Sequence, residues 1–149
     1  MKKSILAVSL MAVIGSAQSV EVGVNVTKDY SGTDRNSQGI TVGQKFGSVT
    51  ATVGYDQLTK GKNNQDRYSL VGAYDVAKVG PVQVSVKAGA AMLDNQTGKD
   101  GYAVTGGVGL SYPIVKNVAA TVDYRYQIGQ TRVSSFDGNS IGAGIKVSF

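Results

Sequence analysis

The chain has 149 residues with no cysteine, no histidine and no tryptophan, 20 glycines and a formal net charge of +5. Without cysteine there is no disulfide framework, no thiolate nucleophile, no Cys-ligated zinc site and no lipid-bearing Cys. The charge falls by two to +3 if Lys2 and Lys3 are removed, which is too modest to indicate a nucleic-acid partner but suits an anionic lipid surface.

Met1, Lys2 and Lys3 form a positive leader, followed by an apolar run over 5–14 and the small residues Gly15, Ser16 and Ala17. Roughly ten apolar residues are too few for a spanning helix, which needs about 20, and the order of charge, apolar run and small residues is that of a secretory signal peptide. Residues 1–17 are therefore expected to be cut off after Ala17, leaving 18–149 as one domain.

From there the sequence alternates with period two and shows no convincing period of 3.6, which is the pattern of strands. The first strand sets Val20, Val22, Val24 and Val26 against Glu21, Gly23, Asn25 and Thr27, because successive side chains leave opposite faces of a pleat. The second sets Ile40, Val42 and Phe46 against Gly39, Thr41, Gly43 and Lys45, with Gln44 breaking the apolar side. The third sets Val49, Ala51, Val53 and Tyr55 against Thr50, Thr52, Gly54 and Asp56, and the fourth Tyr68, Leu70, Gly72, Tyr74 and Val76 against Arg67, Ser69, Val71, Ala73 and Asp75.

The fifth opposes Val82, Val84, Val86, Ala88, Ala90 and Met92 to Gln83, Ser85, Lys87, Gly89 and Ala91. In the sixth, Tyr102, Val104, Val108, Leu110 and Tyr112 oppose Ala103, Thr105, Gly107, Gly109 and Ser111. The seventh opposes Val118, Ala120, Val122, Tyr124 and Tyr126 to Ala119, Thr121, Asp123, Arg125 and Gln127. The last opposes Ile141, Ala143, Ile145, Val147 and Phe149 to Ser140, Gly142, Gly144, Lys146 and Ser148. About eight strands of about ten residues match the length that crosses a bilayer at a tilt.

Connections are short at 47–48, 77–81 and 113–117, and longer and polar at 31–37, 58–66, 94–100 and 128–138. The expected fold is an all-β, antiparallel, up-and-down eight-stranded transmembrane barrel with short turns at one end and longer loops at the other. A soluble lipocalin-like binding barrel shows the same alternation turned outside in. Glycine weighs against that alternative: the polar face carries Gly23, Gly43, Gly54, Gly89, Gly107, Gly109, Gly142 and Gly144, which suits a narrow lumen and would weaken a solvated surface for no packing gain. Two aromatic girdles are expected, Tyr30, Tyr55, Tyr68, Tyr102 and Tyr126 at the long-loop rim with Tyr124 just below, and Phe46, Tyr74, Tyr112 and Phe149 at the other.

Inward-facing ionisable residues are Glu21, Lys45, Asp56, Arg67, Asp75, Lys87, Asp123, Arg125 and Lys146. An uncompensated charge in a narrow bore is costly, so Asp56 is expected to pair with Arg67 across the second long loop, and Glu21 with Lys146 across the closing seam. Structural bracing is the plain reading and an ion path the sharper one. No catalytic, cofactor or metal site is expected, since Ser and Thr have no positioned base to activate them. The run Gly106-Gly107-Val108-Gly109 lacks the following helix and Lys-Ser or Lys-Thr pair of a phosphate loop. Lys60, Lys62, Lys99, Arg35 and Arg132 lie in or beside the long loops, where they are placed to touch lipopolysaccharide phosphates or an acidic extracellular ligand.

At the carboxyl end Gly144, Val147 and terminal Phe149 resemble the assembly signal of small outer-membrane barrels, with Ala143 standing where a polar residue is usual; the stretch 111–117 followed by Val122, Tyr124 and Tyr126 is similar to a turn and strand in the same families. The mature chain thus resembles the opacity, neisserial surface and enterobacterial X-type proteins and the transmembrane half of the A-type protein. That resemblance implies a monomeric, unlipidated barrel in the bacterial outer membrane, contacting lipid and lipopolysaccharide and inserted by barrel-assembly machinery through its last strand. It implies a structural or surface-interaction role, a small pore being the alternative. The catalytic His of the enzyme barrels is missing, and no peptidoglycan-binding domain is expected after Phe149.

Overall fold

The computed structural model describes residues 19–30, 35–60, 63–94, 101–130 and 137–149. The expected signal peptide lies outside them, as do Lys62, Lys99 and Arg132. Eight strands follow in chain order: β1 (Ser19–Asp29), β2 (Arg35–Phe46), β3 (Val49–Lys60), β4 (Asn63–Val79), β5 (Val82–Asp94), β6 (Gly101–Val115), β7 (Val118–Gln130) and β8 (Gly138–Ser148). Each pairs antiparallel with the next and β8 pairs with β1, so the sheet closes into a barrel in strand order. Closure leaves no free edge.

The strands run further than the hydrophobic alternation reaches. Arg35 opens β2, β3 and β4 extend to Lys60 and Asn63, and β7 continues to Gln130, so most of the expected loop at 58–66 is ladder, as are residues 35–37 of the one at 31–37 and 128–130 of the one at 128–138. Only residues 61 and 62 separate β3 from β4. Polar side chains misled the sequence reading there, because beyond the apolar belt both faces of a strand can be polar while the backbone still pairs. At the other end the turns shrink to Gly47-Ser48, Gly80-Pro81 and Lys116-Asn117. Gly47 and Gly80 adopt φ of 61° and 60°, the left-handed conformation that two-residue hairpin turns demand. The register shifts between Asp75 and Ala77 and between Pro113 and Val115; at the second, Pro113 has no N–H to give the ladder.

The two faces separate as the alternation requires. Val24, Ile40, Leu70, Val104, Ile128 and Ile145 point outward and are exposed, Leu70 to 62%, while its near neighbour Arg67 points inward at 0%. Tyr30, Tyr102, Tyr124 and Tyr126 are exposed near the long-connection end, and Phe46, Tyr74, Tyr112 and Phe149 near the short-turn end. Tyr55 and Tyr68 face each other across β3 and β4 with ring centroids 5.3 Å apart. The apolar exterior and polar interior invert the order of a soluble domain.

Candidate functional site

The bore of the barrel holds the protein's concentrated chemistry, and its two halves differ. In the half nearer the long connections, Asp56 and Arg67 are directly opposite in the β3–β4 register. Arg67 Nε donates to Asp56 Oδ2 at 3.0 Å, Nη1 reaches across the bore to Gln127 Oε1 at 3.4 Å, and Asp29 lies 3.8 Å from Nη1. Asn25 Nδ2 adds a bond of 3.1 Å to Asp56 Oδ1. One guanidinium thereby ties β4 to β1, β3 and β7. Gly39 makes room for this: a Cβ there would overlap Asp56 Oδ1 and stand 2.6 Å from the Tyr55 carbonyl oxygen.

Above and beside that network Leu58, Leu93 and Ala103 form a buried apolar cluster inside the barrel. Together with Arg67 they fill the bore at this end. The polar run 58–66 predicts a loop at Leu58, and the alternation of the fifth strand ends before Leu93. Their parity held the signal, since Leu58 continues the inward series Gly54, Asp56, and Leu93 continues Gly89, Ala91. Asp29 and Arg35 were missed as interior residues for the same reason. Arg35, expected as a loop cation for external phosphates, is instead buried and donates to Gln65 Oε1 at 2.9 Å.

The other half is wetter. A polar cavity of about 130 Å³ runs from Glu21 and Asp75 near the short turns up to Asp56 and Arg125. Three lysine–carboxylate pairs brace it: Lys146 with Glu21 at 3.0 Å across the β8–β1 seam, Lys45 with Asp75 at 2.7 Å spanning β3, and Lys87 with Asp123 spanning β6. Side-chain exposure falls from 34% at Lys45 through 28% at Lys146 and 25% at Lys87 to 0% at Arg67. The bore is therefore open to solvent toward the short-turn end and closed at the arginine.

The two pairings expected from sequence, Asp56 with Arg67 and Glu21 with Lys146, are both present; Lys87 and Asp123, expected only to face inward, are joined to each other. Arg125 is brought to the same cavity without a hydrogen bond or salt bridge among the described residues. Gly144 faces inward at the seam, Val147 is half-buried opposite Val22 and Val118, and Phe149 pairs its backbone with Val20 while its ring is exposed. The side chain of Lys60 lies outside the description. Among the described residues no group of three or more His, Cys, Asp or Glu could hold a metal.

No protein-family model matches the sequence, and no curated protein does. Solved structures do resemble the fold. The N-terminal β-barrel domain of Pseudomonas aeruginosa OprF superposes with a TM-score of 0.71 at 19% identity, over 89% of this chain and 98% of that one. Neisserial surface protein A gives 0.65 at 19% identity, over 88% and 96%. Ail, the attachment invasion locus protein of Yersinia pestis, in complex with the heparin analogue sucrose octasulfate, gives 0.54 at 12% identity, over 88% and 97%. The fold is that of the small eight-stranded outer-membrane barrels.

Proposed function

We propose that this chain is an integral barrel of a bacterial outer membrane, exported with its leader cleaved near Ala17, with a structural or surface-interaction role and no catalytic activity. The observation that carries the reading is the inverted order of polarity: an exposed exterior of Val, Ile, Leu and Tyr around a bore of paired charges. In water that exterior would be a contiguous apolar belt far larger than soluble monomers expose. In hydrocarbon it is the favourable face, since every strand's backbone groups are paired around the closed ring. The two bands of aromatic rings fit the interfaces on either side. A lipocalin-like carrier needs the reverse, an apolar cup inside.

Within that reading a structural role is favoured over a large adhesive one. The connections at the long-connection rim are confined to residues 30–34, 61–62, 95–100 and 131–137, at the lower bound of the roughly 20–30 residues a side that a standard protein interface engages even if every one took part. Contact at the long-connection rim would suit a compact anionic group such as a lipopolysaccharide phosphate better than a protein surface. The sulfated ligand on the structurally similar Ail is in keeping with that. Insertion by barrel-assembly machinery would act through β8, whose end carries Phe149. A conducting pore is disfavoured by the Arg67, Leu58 and Leu93 side chains that fill the bore.

The test is membrane fractionation of the expressed chain together with gel mobility of heated and unheated samples in detergent. Membrane recovery and a heat-dependent shift are expected; a soluble product with no shift would defeat the proposal.

A further inference from the structure

The outer wall formed by β8, β1 and β2 is apolar below and polar above. Val24, Val26, Ile141 and Ile145 are exposed on it, and Val122 on β7 bounds its far side. In their midst stands Ala143, opposite Val26 on one flank and Val122 on the other, with Ile141 and Ile145 two residues away along the same face of β8. A methyl among four branched side chains leaves a dip. Two adjoining grooves meet there: one runs over Val24, Ile40 and Ile145, the other over Val122 and Ile141, and both include Val26, Gln38 and Ala143.

Toward the long connections the grooves turn polar. Lys28 lies directly opposite Asn36 and Ile141, Gln38 opposite Val26 and Gln57, and Asn36 opposite Thr59. Lys28 is exposed, with its Nζ 5.3 Å from the centre of the Tyr30 ring, and has no carboxylate partner among the described residues. The side chains of Asn36, Gln38, Gln57 and Thr59 make no hydrogen bond among those residues. Tyr30 and Tyr124 flank this end, Tyr124 opposite Ile141, which sets it at the interface and the Ala143 dip deeper in hydrocarbon.

This gradient fits an occupant with an anionic, hydrogen-bonding head and a hydrocarbon chain. A soluble anion would leave the dip empty, and a hydrocarbon chain alone would leave Lys28 and the amides unused. The polar end extends over three strands, about 10 Å at a spacing of about 4.8 Å. One phosphate answers Lys28. The carboxamides and the threonine hydroxyl are neutral donors and acceptors that match sugar hydroxyls and amide-linked acyl groups. A phosphorylated glycolipid offers both sets of groups, a simple anionic phospholipid mainly the first.

We propose that this wall binds one lipopolysaccharide molecule, with a lipid A phosphate at Lys28, its sugar and amide groups along Asn36, Gln38 and Gln57, and one acyl chain in the dip over Ala143. The site rests on the membrane reading above and goes beyond it by fixing the lipid at one side of the barrel wall rather than at the loops.

The experiment uses the full mature barrel, isotopically labelled, in phosphatidylcholine nanodiscs containing a small fraction of lipid A with a nitroxide on one acyl chain. Recovery in the discs and a heat-dependent gel shift are checked first, so that failure of the membrane reading shows there and not in the lipid data. Amide relaxation enhancement is expected to concentrate at Val26, Gln38 and Ala143 and to be weak at Met92 and Val104 on the opposite wall. Lys28→Gln should cut that contrast about fivefold, the share of one basic residue at an anionic lipid surface. Ala143→Leu, which fills the dip, should reduce it too, and both variants should keep the gel shift. Lipid A stripped of its phosphates should give wild-type protein the low contrast of Lys28→Gln. Equal enhancement on both walls, or an unchanged contrast in both variants, would overturn the site. Nitroxide-labelled phosphatidylglycerol giving the same contrast as lipid A would overturn the glycolipid assignment.

Discussion

Asp56 and Arg67 stand opposite one another on β3 and β4, joined at 3.0 Å with the guanidinium wholly shielded from solvent. Removing either partner alone, by Asp56→Asn or Arg67→Met, is expected to cost about 3–5 kcal/mol, because a buried charge is left uncompensated. The double variant Asp56→Leu with Arg67→Met should cost less than either single change. Urea-induced unfolding from lipid vesicles measures all three. Equal, additive losses would mean that the pair contributes nothing as a pair.

The more open pair Lys45–Asp75, at 34% and 19% exposure, should behave differently. Lys45→Gln is expected to change stability by about 1 kcal/mol or less, as solvent-screened pairs do. The same unfolding assay reads it, and a loss as large as that of Arg67→Met would contradict the gradient of water access along the bore.

Gly39 and Gly72 provide a matched contrast between the two faces. Gly39→Ala drives a methyl into Asp56 and should lower the yield of folded, heat-shiftable barrel. At Gly72 a Cβ would meet only the Ala88 carbonyl oxygen at 3.8 Å, so Gly72→Ala should fold as well as the wild type. Equal yields for the two would remove the steric account of the interior glycine.

Much of this arrangement was legible in the sequence and some was not, for one physical reason. Where the outward residues are Val, Ile or Tyr, parity reports which face is which, and so Glu21, Asp56, Arg67 and Lys146 could be placed inward and two of their pairings anticipated. Toward the long connections the outward positions turn polar, as at Gln38, Gln57 and Asp66, and alternation loses its contrast although pairing continues. Leu58, Leu93, Asp29 and Arg35 fall in that zone, so the closure of the bore could not be read. The pairs Lys45–Asp75 and Lys87–Asp123 each skip a strand, and nearest-neighbour register does not reveal them.

Closure of the bore makes its own prediction. In a planar bilayer the wild-type barrel should give no steady conductance, and Leu58→Ala combined with Arg67→Ala should raise it. Steady wild-type conductance that vanishes on altering Lys87 or Arg125 would establish a pore instead.

The outward orientation of the apolar face is tested most directly by a single spin label. With no native cysteine, Val104→Cys, on the exposed outward side of β6, can carry the only label in vesicle-reconstituted protein. The label should collide freely with oxygen dissolved in the bilayer and be shielded from a water-soluble nickel chelate. Ready access by the nickel chelate with little by oxygen would place that face in water and contradict the account.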